Sequence, residues 1–291
     1  MNRSGKCKRM FTLLLNSFRC KYIVFNWLES VPFFPFGKVQ FVLALMALFV
    51  LKLRKVKVLF MFHDLIPHFG DNWMSRYLMK WLFTNSDLII THSKEALDIA
   101  KKKSEKPCYY ICHPVYKTKV EPFEASRQVD VFIWGAIYDY KGIYEFISLP
   151  AIQSSKLQIY ILGHSMDEKL KDRILSKCNS HIVYEDRRAG FSEIAAYCKK
   201  SKYVLFPYVG ESISSSGALV DTLVFGGVPI GPNRGAFKDL AEENVCLVYN
   251  NYEELCKILH DTSTIAPEDR KIFFDRYSWE NFVKMIYEKF H

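Results

Sequence analysis

The stretch YVLFPYVGESISSSGALVDTLVFGGVPI, residues 203–230, decides the fold. Its opening, Tyr203 to Phe206, is a short continuous apolar run, the pattern of a strand buried on both faces. A loop of small residues, Ser212 to Gly217, follows it. Ala218 to Phe225 then reads as a helix, and Val228 to Ile230 as a second apolar strand. Apolar strands that alternate with helices form parallel sheets covered on both faces.

The same alternation continues outward. Downstream, Phe237 to Glu242 suits a helix, Val245 to Val248 a strand, and Glu253 to Leu259 another helix. Upstream, Val129 to Trp134 is a buried strand ending at Gly135. Leu157 to Leu162 precedes a helix near Asp167 to Cys178, and Ile182 to Tyr184 precedes one over Ser192 to Lys199. The front of the chain repeats the theme with strands at Tyr22 to Phe25, Val56 to Phe62, Leu88 to Thr91 and Tyr109 to Cys112. Between them lie helices over Val39 to Leu53, over Met74 to Phe83 behind an Asn72 cap, and from Ser93 through Ala100. The polar run Lys117 to Gln128 reads as a linker. The expected architecture is α/β, with two Rossmann-like parallel-sheet domains, residues 1–120 and 121–291, facing a cleft. Ligands of such sheets bind at the carboxyl ends of the strands.

With 291 residues, about half of them apolar, the chain can bury two cores. The net charge of +9 is unevenly divided: residues 1–120 carry 20 Lys/Arg against 7 Asp/Glu, residues 121–291 carry 20 against 24. A basic front half suits anionic lipid or a phosphorylated substrate. No zinc-finger, RRM-like or KH-like signature points to nucleic acid, and no G-x-G-x-x-G points to a dinucleotide. The eight cysteines form no CxxC pair and read as small buried hydrophobes of a reducing, cytosolic protein. The start of the chain is basic but carries no cleavable signal pattern. The apolar run Val39 to Leu51 covers about 13 residues, short of the roughly 20 that span a bilayer. It reads as a core helix, with a membrane-embedded helix as the alternative. The cluster Lys52, Arg54, Lys55, Lys57 behind it suits an anionic membrane surface or a solvated turn.

Three segments carry chemistry. In the loop Ser212 to Gly217, backbone N–H groups and a helix start make an anion site, and serine hydroxyls (Ser214, Ser215, Ser216) can donate to a diphosphate. Asp221 lies one turn into that helix, where a carboxylate can accept from a ribose hydroxyl. In Gly135-Ala-Ile-Tyr-Asp-Tyr-Lys141-Gly142, Lys141 can reach a phosphate as a point charge. In Phe62-His63-Asp64-Leu-Ile-Pro67-His68, His63 ends a strand, where it can bond a sugar or move a proton.

Taken in order, these segments resemble GT-B glycosyltransferases of the family-four type, which build capsule, exopolysaccharide or lipopolysaccharide. His63-Asp64 with Pro67-His68 resembles their HD-x-x-P-H element, and Asn85 to Ser93 their "aDlvivhS" strand. His113-Pro-Val-Tyr116 is similar to "hPvy", Gly135 to Gly142 to GR-x-x-x-KG, Phe225 to Ile230 to "a-x-G-x-PVI", and Tyr277-Ser278-Trp279-Glu280 to "fsWe". The resemblance covers about residues 22–291 and implies transfer of a sugar from a UDP- or GDP-sugar, with retention, to a lipid-linked or glycan acceptor. It implies a membrane-associated enzyme at the inner face of the cytoplasmic membrane, with neither cofactor nor metal; the chain contains no Asp-x-Asp. It assigns Gly135, Lys141, Ser214, Ser215, Ser216, Gly217 and Asp221 to the donor, and His63 to the sugar or acceptor. Three departures stand out. Ala136 occupies the place of a diphosphate-binding arginine, leaving Lys141 as that turn's cation. The Glu-x7-Glu pattern falls on Ile213 and Asp221, with Glu211 as a substitute for the first carboxylate. The family's first strand and glycine-rich loop do not precede Tyr22, so the N-terminal domain is expected to be shortened, with a partner chain as one way to complete it. A catalytically inactive GT-B-like scaffold is the alternative these departures raise.

Overall fold

A computed structural model of the chain describes residues 3–63, 71–116, 123–125, 128–209 and 216–290, with the backbone alone described over 3–9. Two compact units result: Met1–Cys112 with Lys284–His291, and His113–Val283. The sequence places its linker at Lys117 to Gln128, most of which lies outside the described residues.

The first unit runs α1 (Arg3–Ser17), β1 (Tyr22–Asn26), α2 (Gly37–Leu53), β2 (Lys57–Phe62), α3 (Trp73–Asn85), β3 (Leu88–Thr91), α4 (Lys94–Lys103) and β4 (Cys108–Tyr110). Its sheet is wholly parallel, in the order β1-β2-β3-β4. The residues of β3, and all of β2 except Lys57, are buried, as continuous apolar runs in a parallel sheet should be. Asn72 and Ser93 cap α3 and α4 by accepting from Ser75 N and Ala96 N, as their sequence positions foretell.

Strand β1 is an edge. It pairs with β2 alone among the described strands, and Tyr22 and Val24 are exposed on one face while Phe25 is buried on the other. Helix α2 departs from the core-helix expectation. Phe41, Ala44, Ala47, Leu48 and Leu51 are buried, but Val39, Val42, Met46, Phe49 and Leu53 are 50–71% exposed. All five exposed positions fall on one stripe at helical spacing. On α1, which packs on α2, Phe11 and Leu15 are exposed too. The sequence signal was ambiguous because α2 is apolar all round, so no polar face marks its outer side.

The second unit runs β5 (Val131–Trp134), α5 (Ile143–Ile147), α6 (Pro150–Gln153), β6 (Ile159–Leu162), α7 (Glu168–Leu175), β7 (Ile182–Glu185), α8 (Phe191–Lys200), β8 (Tyr203–Leu205), α9 (Gly217–Val224), β9 (Pro229–Pro232), α10 (Gly235–Glu242), β10 (Leu247–Tyr249), α11 (Tyr252–His260), α12 (Pro267–Arg276) and α13 (Trp279–Phe290), whose end belongs to the first unit. The sheet is parallel in the order β10-β9-β8-β5-β6-β7. The chain builds from β5 toward β7, then returns to the far side of β5 for β8 and builds toward β10. The strand order therefore reverses between β5 and β8, the place where doubly wound sheets open a crevice. Strands β5, β6, β8 and β9 are buried throughout.

Candidate functional site

The reversal point brings together two stretches distant in sequence. Strand β5 ends at Trp134 and turns at Gly135, whose φ of +102° suits glycine. A 3₁₀ turn over Asp139–Lys141 follows and is closed by Gly142 at φ +64°. A Cβ on Gly142 would meet the carbonyl oxygen of Pro207, just beyond β8, at 2.1 Å. The two loops therefore touch backbone to backbone, and Val209 N donates to Tyr140 O at 3.0 Å.

Lys141 lies in this contact. It is buried, and its ammonium sits 5.6 Å from the ring centroid of Tyr208 and 3.5 Å from the place a Cβ would take on Gly135. No carboxylate among the described residues is within ion-pair distance of it. Burial lowers its pKa to about 8, against a weaker opposing pull from Tyr138. A buried ammonium without a carboxylate is costly unless something anionic joins it. Tyr208 is buried too, which raises its pKa to about 12; a hydrogen bond with the Ser216 side chain opposes that rise. Ser216 is the N-cap of α9, where its hydroxyl accepts from Leu219 N at 3.3 Å. Lys141, Tyr208 and Ser216 thus form a chain from the β5 loop to the start of α9. Gly217 opens that helix, and a Cβ there would lie 3.9 Å from His113 Nε2. Asp221 is half-buried one turn further on, and burial raises its pKa. Glu211, Ser214 and Ser215 lie outside the described residues.

On the other side of Gly135, a cavity of about 310 Å³ opens past the ends of β5, β6 and β7. Trp134, Leu162, Met166 and Ile194 give it an apolar lining, and His164, Arg187 and Arg188 a polar one. His164 Nδ1 is 3.0 Å from Asp186 Oδ1, and Arg187 is held by Glu185 and Glu193. Sequence reasoning named His113 only within the His113-Pro-Val-Tyr116 segment, and missed His164 and the two arginines. The βα boundaries after β6 and β7 were the only signal available, because no residue pattern there stands out.

The first unit has its own cluster at the carboxyl ends of β1, β2 and β3. His63 Nε2 lies 2.8 Å from Asn26 Oδ1, and its ring stacks on Trp27 with centroids 4.6 Å apart. His92 is buried beside it at 5.0 Å and bonds the Ile111 carbonyl through Nδ1 at 2.8 Å. The carbonyl can only accept, so Nδ1 carries the hydrogen. Trp27 has a φ of +56°, which is uncommon for a bulky residue and marks local strain beside the histidines. The segment Asp64, Pro67 and His68 lies outside the described residues. His63 was legible from the sequence; Asn26, Trp27 and His92 become its neighbours only through parallel pairing of three strands.

No known family profile matches the sequence, and no curated protein matches it. Solved structures do match in shape. A structure of Anabaena Alr3699/HepE in complex with UDP and glucose is 14% identical over 96% of this chain and 80% of its own, with a TM-score of 0.68. Sucrose-phosphate synthase from Thermosynechococcus elongatus is 14% identical over 84% of this chain and 70% of its own, at 0.66. The α,α-trehalose 6-phosphate synthase of Burkholderia multivorans is 10% identical over the whole of this chain and 77% of its own, at 0.64. At such identities the likeness establishes the fold: the chain consists of two parallel-sheet α/β units of the kind found in GT-B glycosyltransferases.

Proposed function

We propose that this protein is a glycosyltransferase that moves a sugar from a nucleotide-diphosphate sugar, UDP- or GDP-linked, to a lipid-linked or glycan acceptor in cell-surface polysaccharide synthesis, with retention of configuration. One observation carries the reading: a buried ammonium, Lys141, with no carboxylate of the described residues within ion-pair distance, at the strand-order reversal of a doubly wound sheet. A departing diphosphate is the ligand that geometry fits. Glycosyl transfer passes through an oxocarbenium-like transition state, and the main demand on the protein is to stabilise the leaving group. Lys141 supplies a charge and α9 the positive end of a helix. With these in place the reaction is read as metal-free and without a cofactor. The cavity beyond β5–β7 has the apolar walls and arginines that suit a nucleobase and its ribose, and the UDP complex of HepE favours UDP. His63, on the first unit, is assigned to the sugar or the acceptor.

The lipid-linked acceptor and a place on the inner face of the cytoplasmic membrane are supported by the exposed apolar stripe of α2. Residues 1–56 carry ten Lys/Arg and a single acid, Glu29, which is buried. An apolar helix face among cations is the pattern of a helix lying on an anionic bilayer. No helix among the described residues is long and apolar enough to cross a membrane. The open edge of β1 leaves room for a partner chain.

The test is transfer of labelled sugar from UDP- and GDP-donors to lipid extract, together with calorimetric binding of each nucleotide. Transfer from one donor, lost in Lys141→Ala, is expected. Nucleotide binding without transfer would make the protein an inactive scaffold, the reading Ala136 favours. No nucleotide binding would overturn the assignment.

A further inference from the structure

We propose that His164 selects the nucleobase of the donor: its Nε2 accepts a hydrogen bond from the lactam N–H of uracil or guanine. This role rests on the nucleotide-diphosphate reading above and adds to it the group that chooses the base.

The surroundings of His164 fix which ring nitrogen is left for a ligand. Strand β6 ends at Leu162, and Gly163 and His164 follow it into the cavity of about 310 Å³ past β5, β6 and β7. The parallel register of Leu162 on Glu185 brings the loops after β6 and β7 together. Asp186 does not line the cavity, and His164 Nδ1 lies 3.0 Å from its Oδ1. The same carboxylate accepts from the Ser165 backbone at 2.9 Å, the Tyr184 hydroxyl at 3.2 Å and the Lys171 ammonium at 3.0 Å. Burial opposes ionisation of Asp186, but the Ser165, Lys171 and His164 donors hold its carboxyl well below the usual carboxylate range. An ionised carboxylate only accepts, so Nδ1 carries the ring hydrogen. The other nitrogen of the neutral imidazole is then an acceptor, and Nε2 has no hydrogen-bond partner among the described residues. The side chain is 37% exposed, so a molecule entering the cavity meets that acceptor.

A bare acceptor selects a ligand group that donates. The diphosphate offers only acceptors and goes with Lys141. A ribose hydroxyl is assigned Asp221, half-buried one turn into α9. The cavity walls at Trp134, Leu162, Met166 and Ile194 are apolar and suit a flat base. Uracil N3 and guanine N1 carry a hydrogen beside a carbonyl. Cytosine N3 and adenine N1 are lone pairs, which would face Nε2 acceptor to acceptor. The carbonyl needs a donor in turn. Arg187 is held by Glu185 and Glu193, whereas Arg188 lines the same cavity with no ion pair among the described residues.

The test is calorimetric titration of the full chain with UDP, CDP, GDP and ADP at about pH 7.5, in the wild type, His164→Ala and Lys141→Ala. UDP is expected to bind at least about tenfold more tightly than CDP, or GDP than ADP, because a site built around one hydrogen bond rejects the analogue that cannot make it. That preference should fall to within about twofold in His164→Ala. The melting temperature of this variant should hold, since the side chain is partly exposed and Asp186 keeps its other donors. Lys141→Ala should weaken all four nucleotides alike. UDP binding more tightly than GDP would identify uracil, and the reverse guanine. Nuclear magnetic resonance of isotope-labelled histidine, with His164 recognised by its loss in His164→Ala, should show the Nδ1–H tautomer. A preference that survives in His164→Ala, nucleotide binding without preference inside either pair, or an Nε2–H tautomer would overturn the proposal and leave the donor reading standing. Binding of none of the four would overturn both.

Discussion

The two parallel sheets differ in one feature, the order in which the chain lays down their strands. In the first unit β1, β2, β3 and β4 are neighbours in sequence and in space, so among the described strands no reversal opens a crevice. In the second the chain returns to β5 before adding β8, and the connections leave on opposite sides. Polar groups follow that difference. At the reversal sits a buried ammonium with no carboxylate of the described residues within ion-pair distance, and a helix start close by. Along the unreversed sheet the histidines are paired off, His63 with Asn26 and Trp27, and His92 with a carbonyl. The second unit presents a buried cation at its strand ends, whereas the first presents hydrogen-bonded and stacked rings.

Four experiments would break or sharpen this contrast. The largest effect is expected from Gly142→Ala. Its left-handed φ and the 2.1 Å approach to Pro207 O force the two loops apart, at a cost of about 2–5 kcal/mol in chemical denaturation. A neutral result would mean that the reversal point is loosely packed. Lys141→Ala should weaken UDP binding by about 1.5–3 kcal/mol, roughly 10- to 150-fold, by calorimetry, without loss of melting temperature, since it removes a buried charge. His63→Ala should lower the transfer rate about tenfold or more while leaving UDP affinity within about twofold. Equal loss of both would erase the division of labour between the units. The smallest effect is with pH. Lys141 is charged below its folded pKa of about 8, so UDP affinity should be flat between about pH 7 and 8, where the terminal phosphate of UDP is fully ionised, and fall above it. Stability of the free protein moves the other way. The unfolded lysine holds its proton up to the ordinary value of 10.5 and the folded one does not, so the fold gains stability as pH rises from about 8 to 10.5. The same titration on Lys141→Ala should lose both trends.

Much of this was legible in residues 203–230. The apolar strand, the small-residue loop and the helix start are consequences of local pattern, and β8, α9 and β9 form where periodicity places them. Lys141 and Asp221 could be named because a strand end and a first helical turn have a fixed address in a parallel sheet. Helices α1, α6 and α12 were missed. The first is basic and weakly periodic, the second is only four residues long, and the third has little apolar face. The outward stripe of α2 was misread as core for the opposite reason, too much apolar character to show a direction.

The sequence by itself determined the class of each segment and the chemistry of each loop, because hydrophobic period and capping act over a few residues. Strand order was decided by tertiary structure alone, since a parallel sheet gains its register from contacts far apart in sequence. Only that order brings Pro207 against Gly142 and turns a lysine that reads as a surface residue into a buried cation.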